Sequence, residues 1–160
     1  MKRIDAIWRH ETYQSCLEKL SKWEEKREYC RHTPEHFLDV ARITWILALE
    51  AKMPAEKEII YAAGLLHDIG RFRQYEEGIP HEQASAQIAE EILKDCGFEE
   101  SEQEQVLELI RSHRIKEREN SQSLSGLFYQ ADKLSRNCFS CPVKEKCDWT
   151  EEKKNLSIRI

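Results

Sequence analysis

Residues 59–66 read IIYAAGLL, eight successive apolar residues, and the next two are His67 and Asp68. A helix that is apolar on every side has no face to turn to water, so this one must run through the middle of a core. The ionisable pair at its end is then carried inward, where a charge without a partner is unfavourable by several kcal/mol. The remaining sequence must supply both the helices that cover this segment and the groups that satisfy the pair. At eight residues the run is well short of the about 20 needed to span a bilayer.

The flanking pattern is helical nearly throughout. Ile4, Ile7, Trp8, Cys16, Leu17, Leu20 and Trp23 form one stripe and predict a helix over about residues 4–29. Thr33 as N-cap and Pro34 in the first turn start a second over 34–51, with Phe37, Val40, Ala41, Thr44 and Leu47 on one face. The buried helix is expected to start at Pro54 and to stop at Gly70. Gly78 and Pro80 make a loop, after which Ala84, Ile88, Ile92 and Cys96 line up on a helix closed by Gly97. Ser101 and Glu104 have capping-box spacing ahead of Val106, Leu107 and Ile110. Glu117 to Gln122 read as a loop, and a last helix carries Leu124, Leu127, Phe128, Ala131 and Leu134.

No run alternates as a strand would. With 40% hydrophobic residues, five Gly and four Pro in 160, the chain is too apolar for disorder and too poor in turn formers for a many-stranded barrel. The expectation is an all-α protein: a compact helical domain over 1–136 with a short cysteine-rich tail, 137–160, packed on it. The N-terminal residues lack an apolar signal core, so the expected location is cytoplasmic, with no membrane partner. A formal charge of −5 disfavours long nucleic acid as a partner. The oligomeric state is left open.

Several of these helices carry a histidine or aspartate on the face assigned to the core. His36 lies one turn before Val40, and His67 and Asp68 end the buried helix. His81 is in line with Ala84 and Ile88, His113 with Val106 and Ile110, and Asp132 with Leu124 and Phe128. A single such histidine is ordinarily satisfied by a neutral neighbour. Four imidazoles and two carboxylates on five successive core faces are better explained by shared metal ions. His10, on a polar helical face, and His32, in a loop, are read as ordinary residues without such a role. Mixed nitrogen and oxygen donors suit Fe, Mn, Co, Ni or Zn without selecting strongly among them.

At these residues the chain resembles the HD-domain metal-dependent phosphohydrolases. GLLHDIGRF, 64–72, is similar to the family's paired His-Asp motif; EHFLDVARI, 35–43, resembles its first-histidine helix, and ADKLS, 131–135, its last-aspartate helix. The order and intervals match the H…HD…H…H…D pattern of the two-metal branch. The resemblance implies one metal held by His36, His67, Asp68 and Asp132, and a second held by His81 and His113 with Asp68 bridging. If His81 and His113 did not bind, the enzyme would use one metal. Two such ions would activate a bridging water for in-line attack on phosphorus. Asp68 is the expected catalytic centre, and Arg71 is placed to hold a substrate phosphate; Arg114 and Lys133 are weaker candidates. No Gly-Tyr-Pro follows the metal motifs, which disfavours a cyclic dinucleotide. The short spacer between Asp68 and His81 favours a small substrate such as a nucleotide, a dinucleoside polyphosphate or a sugar phosphate. The same ligand set would also serve a di-iron oxygenase of the superfamily, and a non-catalytic nucleotide-binding module is a third reading.

Cys138, Cys141 and Cys147 form C-x2-C-x5-C, one ligand short of a closed tetrahedral site. Cys30 precedes His36 by six residues and Cys138 follows Asp132 by six. If those two ligands meet, Cys30 is brought beside the tail. An additional zinc or iron–sulfur site on Cys30, Cys138, Cys141 and Cys147, and three reduced tail thiols packed as small hydrophobes, are the two alternatives.

Overall fold

The computed structural model describes residues 1–118 and 121–159, the side chain of Arg118 excepted. Eight α-helices follow one another among the described residues: α1 Lys2–Arg9, α2 Glu11–Glu24, α3 Pro34–Glu50, α4 Lys57–Leu66, α5 Arg71–Glu77, α6 His81–Asp95, α7 Glu100–Ser112 and α8 Leu124–Leu134. Short 3-10 turns occupy Lys116–Arg118, Cys138–Ser140 and Lys144–Lys146, and no strand occurs among the described residues. The all-α expectation holds. None of these helices is long and apolar enough to cross a membrane.

The boundaries differ from the sequence reading in instructive places. The expected helix over 4–29 is two helices. His10 adopts extended backbone angles and its ring accepts the Thr12 N–H, so it caps α2 in the way a Ser or Asp would. The break re-aims the second helix, so Tyr13, Cys16 and Leu20 are buried while Trp8 and Trp23 remain partly exposed. Helix α2 stops at Glu24, five residues early, and α4 begins at Lys57 rather than Pro54. The capping box of α7 is Glu99–Glu102, not Ser101–Glu104, because Glu99 has the extended backbone of a cap. The start of α3 at Thr33 and Pro34 is as expected, and so is the left-handed Gly97 after α6, at φ 76°. Of the expected loop at 117–122, residues 119 and 120 lie outside the described residues.

Helix α4 is the axis of the molecule: Ile59, Ile60, Ala62, Ala63, Gly64, Leu65 and Leu66 are all buried. It packs against α1, α3 and α7, while α3 also packs on α8 and α6 on α7. Two glycines permit the closest approaches. A Cβ at Gly64 would lie 2.7 Å from the Ala41 Cβ, so α3 and α4 are in near-backbone contact there. A Cβ at Gly70 would lie 2.4 Å from the Ser85 nitrogen and 2.6 Å from the Ala84 carbonyl carbon. The Gly70 N–H also donates to the Ser85 hydroxyl at 2.9 Å, so the turn after His67-Asp68 is fastened directly to α6. That turn is followed by α5, a short helix that fills the His-Asp to His81 spacer and that its charged sequence, RFRQYEE, had not declared.

Because backbone atoms oppose the missing Cβ, Gly70→Ala has no flexible neighbour to displace. It is expected to destabilise the fold by about 1–3 kcal/mol, the usual cost of overpacking, measured as a lower midpoint in thermal unfolding. An unchanged midpoint would contradict this packing of α6 on the turn.

Candidate metal centre

Each ligand candidate sits at the end of an element. His36 is in the first turn of α3 and His81 is the first residue of α6. His67 and His113 are the C-caps of α4 and α7, and Asp132 is in the last turn of α8. Helix ends leave backbone groups without partners, and two of the rings use them. The His67 Nδ1–H donates to the Gly64 carbonyl at 2.8 Å, and the His113 Nδ1–H to the Ile110 carbonyl at 2.6 Å. His81 donates from Nδ1 to the Gln74 side-chain oxygen. His36 does so to the Ser135 hydroxyl at 3.0 Å, whose own proton goes to the Asp132 carbonyl. In every case the outer nitrogen carries the proton, which leaves Nε2 as a lone pair turned inward. That is the tautomer and second-nitrogen bond that metal-binding imidazoles use.

These lone pairs converge on Asp68. Its Oδ2 lies 3.3 Å from His67 Nε2 and 3.8 Å from His36 Nε2; its Oδ1 lies 3.1 Å from His81 Nε2 and 3.7 Å from His113 Nε2. Asp132 Oδ1 is 3.5 Å from His36 Nε2. Two groups result whose donor atoms all lie within 4.8 Å of one another: His36, His67 and Asp132 on one side, and Asp68, His81 and His113 on the other. All six residues are buried. The structure therefore brings together every one of the six predicted ligands.

The donor set itself tests whether cations fit. His67 Nε2 and Asp68 Oδ1 are fully buried and make no hydrogen bond among the described residues. His81 and His113 set their Nε2 atoms 3.2 Å apart. Two lone pairs facing each other at that distance repel unless a positive centre lies near them. Buried polar atoms are seldom left in this condition without a function, so these residues fit divalent metal.

The electrostatics of His36 and His113 favour the same state. Burial pushes the pKa of both His36 and His113 down to about 3, keeping them neutral as ligands must be. Burial opposes charge on His67 too, but the Asp68 carboxylate outweighs it and raises that ring above its ordinary value. For Asp68 burial resists ionisation, yet His67 and His32 hold it well below the carboxylate range. Asp132 is likewise held far below that range against its burial, by Lys133 first and His36 next.

His32 was read from sequence as an ordinary loop residue, and the structure places it elsewhere. It is buried, its Nε2 lies 3.6 Å from Asp68 Oδ2, and its ring edge faces His36. Its Nδ1 and backbone N–H both meet the Glu24 carboxylate, at 3.1 and 2.8 Å. Glu24 is buried at the end of α2 and also accepts from the Tyr75 hydroxyl at 2.9 Å. Bonding to His32 lowers its pKa to about 2 against the effect of burial. The only sequence signal was a spacing of one helical turn before His36, and Thr33-Pro34 masked it by declaring a helix start. His10, by contrast, caps α2 beside Asp95, far from this centre in the fold.

A cleft of about 720 Å³ opens over Asp68, His81, His113 and Asp132. Its walls include Arg71, Arg114, Lys116, Lys133, Arg136 and Arg159, a concentration of cations in a chain of net charge −5. Arg71 reaches the Asp68–His81 side: its Nη1 is 3.8 Å from Asp68 Oδ1 and 3.2 Å from His81 Nε2, and its Nε donates to the Tyr75 hydroxyl at 2.9 Å. Arg136 was not singled out from sequence, yet it donates to His36 Nε2 at 3.0 Å.

The depressed histidines also set a pH dependence. Unfolded imidazoles protonate near pH 6.5, whereas folded His36 and His113 do so only near 3. Their contribution to stability is complete above about 6.5 and is lost as pH falls towards 3. His32, also lowered by burial, acts in the same sense and His67 in the opposite one, so the net slope is that of three rings against one. Metal-stripped protein is expected to melt at a lower temperature at pH 5 than at pH 7, and a midpoint that rises on acidification would contradict the assignment.

The chain has recognisable relatives. The HD domain family model matches residues 33–137. An uncharacterized protein of Clostridium beijerinckii is 44% identical over 158 residues, covering 99% of each chain. The crystal structure of a predicted HD superfamily hydrolase from an uncultured Thermotogales bacterium superposes with a TM-score of 0.61 at 25% identity, over 89% of this chain and 81% of that one. The matched segment runs from the cap of α3 to just past α8 and holds every histidine and aspartate that surrounds Asp68 except His32, one residue before it; the chain belongs to the HD domain family.

Proposed function

We propose that the chain is a metal-dependent phosphohydrolase that uses two divalent cations and acts on a small phosphorylated molecule. The observation that carries this reading is the pair of buried donor groups on opposite sides of one carboxylate, at the floor of a cleft walled by cations. His36, His67, Asp132 and Asp68 Oδ2 would hold one ion, and Asp68 Oδ1, His81 and His113 the other. Bound there, such ions supply a water made acidic enough to attack at neutral pH and neutralise charge on a phosphoryl oxygen. The likeness to a predicted HD superfamily hydrolase supports the hydrolytic reading.

The chain's own residues do the rest. Asp68 stays ionised and positions both donor groups. Arg71, its Nε held by Tyr75, presents its guanidinium over the Asp68 Oδ1 side, where it can pair with a phosphate in the planar manner that arginine favours. Lys133, in contact with Asp132, and Arg136, beside His36, provide cationic partners on the other side. His32 faces Asp68 and is backed by Glu24, an arrangement able to accept a proton at the imidazole and stabilise the charge formed. The spacer after Asp68 is used up by α5, which leaves no long lid and suits nucleotides, dinucleoside polyphosphates or sugar phosphates.

Phosphate release from such a panel, with Mn, Co, Ni, Mg or Fe(II) supplied, tests the proposal. Activity is expected in the native chain and absent from Asp68→Ala, together with loss of metal. Silence across the panel from protein shown to hold two metals would sink the hydrolase reading and favour oxygen chemistry. Arg71→Ala should keep its metal content yet lose about 10- to 100-fold in kcat/KM, the worth of a charge-assisted hydrogen bond. Equal activity would remove Arg71 from phosphate binding.

A further inference from the structure

Outside this centre, Cys30, Cys138, Cys141 and Cys147 line one small cavity together with Tyr29, Lys144 and Lys154. We propose that this cavity is a second metal site, a four-thiolate centre that takes a thiophilic metal as a zinc ion or an iron–sulfur cluster. It is independent of the hydrolase reading.

The juxtaposition is not a consequence of sequence proximity, since Cys30 and Cys138 are separated by nearly the whole domain. It arises because the start of α3 meets the end of α8, as the His36–Asp132 distance of 3.5 Å shows. The cysteines preceding one element and following the other then emerge on the same side. Two successive 3-10 turns arrange the rest: Cys138 opens the first, Cys141 closes it, and Cys147 closes the second. The Tyr29 hydroxyl donates to the Lys146 carbonyl at 3.0 Å, tying the loop of Cys30 to the turn before Cys147. Asn155 returns the tail to the end of α8, donating to the Lys133 and Arg136 carbonyls at 2.7 and 3.0 Å.

All four side chains are free thiols rather than disulfides. The space they line is about 10 Å³, of the order of one water molecule. Two ammonium groups on its wall are unneeded by neutral thiols but offset the negative charge that four thiolates would retain around a divalent ion. One of these, Lys154, is buried and reaches out to Glu151 at 2.8 Å. Four thiolates drawn onto one metal would leave no open position, as in a closed structural site. Cys30 and Cys147 also belong to the wall of the larger cleft, alongside Trp149 and Asn155. The centre would therefore fix the tail as one side of the larger cleft.

The test is metal and acid-labile sulfide analysis of full-length protein purified without oxygen, as native chain, Asp68→Ala, Cys141→Ser and Cys147→Ser. The expected result is a metal that persists in Asp68→Ala and is lost from both cysteine variants. Zinc without sulfide identifies a single ion; iron with matching sulfide and a visible charge-transfer band identifies a cluster. Since a cysteine variant could simply misfold, a thiol-reagent titration of the native chain is read alongside. Protection of four thiols until a chelator is added supports the site. Four thiols that react at once in native protein, with metal content unaltered by the cysteine variants, would overturn it. Loss of metal in Asp68→Ala alone bears on the other centre.

Discussion

The structure is organised around one buried carboxylate. Asp68 lies with the Nε2 atoms of five imidazoles, His32, His36, His67, His81 and His113, between 3.1 and 3.8 Å from its oxygens. A carboxylate in an apolar interior is untenable alone and needs positive charge close by. Protons on the histidines could supply part of it, but burial holds His36 and His113 neutral. Divalent cations meet the requirement with the donor atoms already aimed. Much of the remaining architecture, from the apolar surround of α4 to the glycine contacts, serves to hold this arrangement.

The rigidity of that surround has a chemical purpose. The His67-Asp68 turn leaves α4, is fastened to α6 by Gly70, and is covered by α3 and α8 through the residues that flank His36 and Asp132. Ligands fixed at helix ends, with each outer nitrogen bonded to a carbonyl, a hydroxyl or an amide oxygen, cannot rotate away from the centre. The cleft side is polar and open. The cleft is lined by arginines and lysines that contrast with the acidic balance of the whole chain.

The six candidate ligands were legible because each broke an otherwise apolar face at helical spacing, and burial makes such breaks meaningful. His32 and Glu24 were not legible for the opposite reason. His32 lies in a loop, where no periodicity marks which side is inside, and Glu24 reads as part of the charged run EEKRE until α2 is seen to end there. The interruption at His10 was hidden because no Gly or Pro marks it and a histidine performs the cap. Helix α5 was hidden because Phe72 is its one buried residue, too little for a pattern. The meeting of Cys30 with the tail followed from a condition, that His36 and Asp132 share a site, and the structure meets that condition.

The most direct test of the central claim is a crystal structure of the metal-loaded protein with anomalous data collected at the absorption edge of the bound metal. The account predicts two peaks flanking Asp68, one bonded to Oδ2 with His36, His67 and Asp132, the other to Oδ1 with His81 and His113. A map without metal on either side of Asp68, from protein given excess cation, would contradict it and leave the carboxylate satisfied by protonated histidines alone.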